Sequence, residues 1–393
     1  MRYRGKLTSS LGIISVVAST LIWAPPAVAD DGQLDIYDAH ALIQQVSPEI
    51  ANETAHSTES ALEPVQSESA RPELVIDPQR TEPASEEDAT DTLSRGVEDD
   101  APAMTPSPEL TITPTYVTEK IDDSNGIGVW RTDSDQVAAY VQPIGSGVRV
   151  LTAVSSSDAP RSYSYDLDVP VGTSLRNNAL GFLLIDPNGS ALGQLLAPWA
   201  KDANGADVPT SYSFSGNTLT QEVELDDPGI AYPVLVDPAW TYVHTRDIGN
   251  KTPSQVRSKL LNCFNCYFPV EGAPRNFPSP DQSLPLIVRP FVGSPVWWNF
   301  HCYFGYSYYD VDGNKSWFGY DFRAAADHVD GEGSTISFDF NPRWSTNYPS
   351  YIFTQLVVSG YIMNDDPVGV GQPAYLLAAT TTWNQFAYNL SQA

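Results

Sequence analysis

The chain is poor in cysteine, histidine and positive charge. Three cysteines and five histidines occur in 393 residues, and 21 Lys and Arg stand against 48 Asp and Glu, for a formal net charge of −27. No basic stripe runs along the sequence, which argues against nucleic-acid binding and against attraction to anionic lipid. There is no Gly-x-Ser-x-Gly elbow and no His-Glu-x-x-His pair, so the two best-signalled routes to hydrolysis are missing. Beyond the N-terminus no apolar run approaches the roughly 20 residues that a membrane helix needs. The chain closes on Tyr388-Asn-Leu-Ser-Gln-Ala393, without a wall-sorting signal. Between Asp30 and Ile112 there is no Trp, no Phe and a single Tyr, Tyr37.

What is present at the start is an export pattern. Arg2, Arg4 and Lys6 precede an apolar run from Leu11 to Trp23, and Ala27-Val-Ala29 supplies the small-x-small site of a signal peptidase. Residues 1–29 therefore read as a signal peptide, and the mature chain is expected to be secreted, extracellular or loosely associated with the cell surface. From 30 to 112 there are 20 acidic residues and only three basic ones, Arg71, Arg80 and Arg95. Such a segment buries too little apolar area to offset its ordering entropy, so it reads as a disordered acidic linker or pro-region. Its one exception is Leu34 to Ile50, where Ile36, Ala39, Leu42, Ile43 and Val46 have helical spacing; a weak, transient helix is the expectation.

After Thr113 the aromatics arrive: eight of the nine Trp lie there. Short alternating segments separated by turn residues at about ten-residue intervals predict a mainly β protein with two β-sandwich-like domains, 113–239 and 240–393. Ser162–Val169 alternates. Gly181–Ile185 and Ala191–Leu196 flank the Asp186-Pro-Asn-Gly189 turn, and Tyr212–Phe214 and Thr218–Leu225 flank Ser215-Gly-Asn217. The second domain opens with one short helix, Thr252 as cap and Pro253 at the first helical position. Leu284–Phe291, interrupted by Pro285 and Pro290, reads as an edge strand. Thr335–Phe340, Gln355–Met363 and Tyr375–Thr382 read as further strands.

The motifs Leu196-Ala-Pro-Trp-Ala-Lys-Asp-Ala-Asn-Gly205, Val208-Pro-Thr210, Leu219-Thr-Gln221 and Tyr232-Pro-Val-Leu-Val-Asp-Pro238 resemble a module of secreted actinobacterial proteins, in which variable C-terminal regions follow it. Cys263-Phe-Asn-Cys-Tyr-Phe-Pro-Val270 and His328-Val-Asp-Gly-Glu-Gly-Ser334 are similar to segments of uncharacterised secreted proteins of the same group. The resemblance implies a secreted Gram-positive protein and brings no catalytic residue with it.

Several constellations carry chemistry. Outside the cell, Cys263, Cys266 and Cys302 point to a disulfide; a bridge from Cys263 or Cys266 to Cys302 is favoured, with a Cys-x-x-Cys redox pair or a zinc set completed by His301 or His328 as alternatives. His328, with Asp327, Asp330 or Glu332 to orient it and Ser334 as nucleophile, is the alternative catalytic set, weighed against a polar turn with an exposed imidazole. His301 reads as a partly buried, hydrogen-bonded strand residue. Asp310, Asp312 and Asn314 place oxygens at alternate positions as calcium loops do, although a turn between strands explains them without metal. Trp297 to Phe322 holds 12 aromatics in 26 residues. On two strands half of them face away from one core, and Tyr303, Tyr306, Tyr308, Trp317 and Tyr320 become candidate contacts to a cell-wall glycan or another extracellular protein. The reading is a secreted binding protein acting without cofactor or chemistry of its own. Its rivals are a secreted hydrolase or toxin-like effector and a purely structural surface protein.

Overall fold

Alternation with turn punctuation does produce a mainly β molecule. The computed structural model describes residues 35–51, 62–64, 72–76, 104–124, 126–289, 297–344, 352–363 and 372–393; the signal-peptide reading, 1–29, lies outside them. Leu34–Ala393 forms one compact unit. All strand pairs in its three sheets are antiparallel.

A six-stranded and a ten-stranded sheet face each other. Period-2 alternation sends Ile112, Tyr163, Tyr165 and Leu219 of the first against Val148, Val150, Leu184, Leu195 and Trp240 of the second. A seven-stranded sheet follows, in the order 283–288, 298–312, 315–324, 335–344, 352–361, 244–247, 105–106. One face of it carries Phe304, Phe318, Tyr320, Phe322, Phe338 and Phe340 under helices Pro253–Asn262 and Gln372–Ser391. The other face meets the ten-stranded sheet through a small apolar cluster of Leu183, Ile185, Ala191, Val243 and Val357 and through polar bonds. Asn178 Nδ2 donates to Asp339 Oδ2 at 3.1 Å, Ser359 Oγ to Gln194 Oε1 at 3.3 Å, and Arg149 Nη2 to the Tyr361 hydroxyl at 3.1 Å.

Three expectations change. The acidic segment is not a tether throughout. Helix Ala39–Val46, capped by the Asp38 carboxylate accepting from Ala41 N, buries Leu42 and Ile43 against Tyr140, Leu151, Ala153 and Leu235. A helix this short is marginal alone, and burial of its apolar face is what holds it. Leu74–Ile76, Leu110–Pro114 and Thr105–Pro106 are likewise strands, so the sheets recruit residues from before Thr113. Tyr375–Thr382 is not a strand but part of helix Gln372–Ser391. Its β-branched run of threonines is outvoted by Trp383, Phe386, Ala387 and Leu390, whose helical spacing lays all four in the core. The third change concerns the aromatic hairpin and is set out with the site.

Candidate active site

The strand Ser283–Val288 lies at one edge of the seven-stranded sheet and pairs with Trp298–Asp312. Carbonyls of Asn299 and His301 accept from Val329 N and Ala325 N on their other side, so the loop after residue 324 runs back beside the same strand. Pleating puts Ser283, Pro285, Asn299, His301 and Tyr303 on one face, with Pro285 opposite His301 and Ser283 opposite Tyr303. Three elements therefore converge there.

The convergence makes a hydrogen-bonded relay. Ser283 Oγ lies 2.8 Å from His301 Nε2, and His301 Nδ1 lies 2.7 Å from Asp327 Oδ1. A carboxylate only accepts, so Nδ1 carries the ring proton and Nε2 accepts from the serine hydroxyl. Asn299 fixes the carboxylate, donating from Nδ2 to Asp327 Oδ2 at 3.0 Å and to the Asp327 carbonyl at 2.9 Å. These two neighbours, Asn299 first and then His301, hold the Asp327 carboxyl below its ordinary range. The imidazole is partly buried and Asp327 is exposed. Across the peptide joining Gln282 and Ser283, the Gln282 carbonyl accepts from Phe304 N at 2.9 Å. A trans peptide opposes its C=O and N–H, so the Ser283 N–H points away from Trp298–Asp312, on the side where Glu271 bridges Ile287 four residues on, as a candidate donor to an oxyanion. Nucleophile, base, orienting carboxylate and one backbone donor are thus assembled in the way acyl transfer requires. Sequence reasoning read His301 correctly as partly buried and hydrogen-bonded, but missed the relay. Ser283 and Asp327 stand 18 and 26 positions from His301, and no short motif joins them.

The aromatic expectation is corrected around this site. A register shift separates the pairs Phe304–Phe322 and Ser307–Tyr320. The extra residue reverses the alternation of the strand beyond it. Gly305 sits in that bulge, where a Cβ would lie 2.0 Å from Asp321 Oδ2, and Tyr306 N donates to Asp321 Oδ1. Of the five candidate contacts, Tyr303 and Tyr306 are exposed, at 41% and 64%. Tyr320 is a core residue, fully buried. The Tyr308 hydroxyl donates to Asp339 at 2.7 Å, and Trp317 lies under the Arg176 guanidinium at 3.7 Å. Those two are spent on the layer interface. Tyr303 stays beside the relay, its ring 5.7 Å from that of His301.

His328, Asp330 and Ser334 come together, but not as a catalytic set. His328 is buried rather than an exposed turn residue, and its Nδ1 accepts from Asp330 N at 3.0 Å. It therefore has no Nδ1 proton to offer a carboxylate. Ser334 Oγ donates to the Asp330 carbonyl and accepts from Met363 N, tying the loop together. Asp327 belongs to His301, and Glu332 is exposed.

The cysteine expectation is also corrected. Cys263 and Cys266 are bridged to each other, with Cα atoms 5.4 Å apart, and Cys302 is a buried thiol. Cys263 caps helix Pro253–Asn262 and the tight turn at Phe264–Tyr267 brings Cys266 back to it, whereas Cys302 points inward from a strand. Its sulfur donates to the Phe300 carbonyl, and burial pushes the thiol up to about 12. Among the described residues no group of three His, Cys, Asp or Glu is arranged to hold a metal ion. Asp310, of the calcium candidate Asp310, Asp312 and Asn314, instead pairs with Arg176 at 2.9 Å.

Comparison with known proteins finds no matching family model, no matching curated protein and no matching solved structure.

Proposed function

We propose that this protein is an exported serine-type hydrolase acting on acyl esters of an extracellular glycan. The Ser283–His301–Asp327 relay carries the reading. Ser283 Oγ attacks the ester carbonyl and its proton passes to His301 Nε2. The imidazolium, steadied by Asp327, returns that proton to the departing sugar hydroxyl, and water then releases the acid from Ser283 by the same path in reverse. Ser283 and Asp327 are exposed, and exposed Tyr303 and Tyr306 offer flat rings on which a sugar can stack. Export is supported by the Arg2 to Ala29 pattern. No helix among the described residues is long and apolar enough to cross a membrane.

The test is labelling of the whole mature chain with a fluorophosphonate, alongside hydrolysis of p-nitrophenyl acetate. A single adduct mapped to Ser283, absent from Ser283→Ala and His301→Gln, is the expected result. Unlabelled Ser283 in a folded chain would overturn the reading. The exposed tyrosines favour a second reading, binding to a cell-wall glycan or another extracellular protein without chemistry. Co-sedimentation with isolated Gram-positive walls, retained in Ser283→Ala but lost in Tyr303→Ala/Tyr306→Ala, with no acyl group released by the wild type, would select it.

A further inference from the structure

On the opposite face of the same two strands lies a second feature, independent of the relay. Leu286, Phe322 and Val358 of the seven-stranded sheet, together with Trp383 of the C-terminal helix, enclose a cavity of about 130 Å³ that also opens onto His244, His328 and Cys302. Its walls are apolar almost throughout. Among its few polar members His244 stands out, because its two ring nitrogens are both shielded from solvent and have no hydrogen-bond partner. Its ring is held edge-on to Tyr242, with centroids 5.4 Å apart. A neutral imidazole offers one donor and one acceptor, and leaving both unmet inside a protein is costly.

We propose that this cavity binds a small uncharged ligand, an apolar ring or short chain bearing one hydroxyl, with His244 as its polar anchor. Size sets the first limit. A cavity of about 150 Å³ lined by apolar side chains takes benzene, so the space here fits a ring of that order. The anchor sets the second, since a hydroxyl can donate to or accept from whichever His244 nitrogen faces the cavity, whatever the tautomer. Charge sets the third. Burial holds His244 and His328 neutral, each drawn down to about 4, and the Cys302 thiol is un-ionised, so no cation in the wall awaits an anion. Asp330, also in the wall, further disfavours a carboxylate ligand. His328 turns Nδ1 to its own loop, which leaves the Nε2 proton as a second donor.

The experiment is an NMR titration of the whole mature chain, reading the ring protons of His244 and His328 against phenol, benzene and benzoate. Phenol should move both rings saturably, benzene should bind about fivefold more weakly for want of the hydrogen bond, and benzoate should leave them unmoved. His244→Leu should abolish the preference for phenol over benzene. Ala379→Phe, which fills the cavity, should abolish both; Ile336→Trp serves the same purpose if that variant does not fold. Ser283→Ala should bind phenol like the wild type, which separates this proposal from the hydrolase reading. Rings unmoved by phenol up to its solubility, or phenol binding that survives the filled cavity, would overturn it.

Discussion

At the scale of single residues, the relay depends on which nitrogen of His301 carries the proton, and Asp327 decides that. Replacing Asp327 by Asn lets the amide donate to Nδ1, which turns the proton to Nε2 and away from its role as base. His301→Gln and Asp327→Asn should each lower kcat/KM for p-nitrophenyl acetate by about 10²-fold or more while leaving the melting temperature close to wild type. Equal kcat/KM in wild type and His301→Gln would remove the relay from the reaction. The individual residues were partly legible beforehand. The sequence marks His301 as a hydrogen-bonded strand residue and His328 as the imidazole of the alternative catalytic set. In the structure, buried His328 spends Nδ1 on a backbone N–H whereas His301 spends it on a carboxylate.

At the scale of elements, the chain's most distinctive stretch proved the hardest to read. Alternation placed the aromatics of Trp297 to Phe322 on two faces, but one bulge at Gly305 and Tyr306 changed which residues face where. A bulge is fixed by what its neighbours can accommodate, here the Asp321 carboxylate against a residue without Cβ, and hydropathy is silent about it. The capped helix at Thr252 and Pro253 was legible, because capping chemistry is local: Thr252 accepts from Gln255 N and the Gln255 side chain accepts from Thr252 N. The cysteine pairing was not, because proximity within one turn competes with proximity across a sheet. With three positions separating Cys263 from Cys266, loop-closure entropy assigns the bridge a stabilisation of about 2 kcal/mol. Cys263→Ser/Cys266→Ser should lose about that much in urea unfolding. Peptide mapping of the wild type alkylated in denaturant without reduction should find Cys302 as the one modified cysteine.

At the scale of the whole molecule, three sheets are joined by buried polar groups, and buried titratable groups contribute to its response to acid. Neutral His244 and His328, drawn from the ordinary 6.5 down to about 4 by burial, bind fewer protons folded than unfolded between those values. Their stabilisation is complete above about 6.5 and is lost as pH falls towards 4. Asp339, pushed up from 3.8 to about 6 mainly by burial, works the other way and is stabilising only while protonated. Asp321 is raised with Asp339, whereas Glu49, Asp202, Asp226 and Asp327 are lowered and lose stability on the same side as the histidines. Each histidine loses about 3 kcal/mol through this window, and the balance is a net loss of stability on acidification. His328→Gln should flatten the fall in melting temperature between pH 6.5 and 4; a fall as steep as in wild type would assign the acid response elsewhere. Arg149 belongs to the same scale. Its buried guanidinium meets Asp237 at 3.4 Å and Tyr361 of the neighbouring sheet at 3.1 Å, so removing Asp237 strands a charge within the protein, whereas removing the Tyr361 hydroxyl takes away a bond between the sheets.

The sequence by itself determined the mainly β character, several hairpins such as those about 186–189 and 215–217, and the short capped helix, because alternation, turn chemistry and capping are local properties of neighbouring residues. Its export pattern is equally local. Only the tertiary structure decided that Ala39–Val46 would be core, that the last helix would not be a strand, and that Ser283, His301 and Asp327 would share one face. Each of these depends on a partner far along the chain, whether a sheet to bury against, a helical face to fill, or an edge strand laid beside a returning loop. Burial and convergence belong to the folded surface, and local spacing carries no record of them.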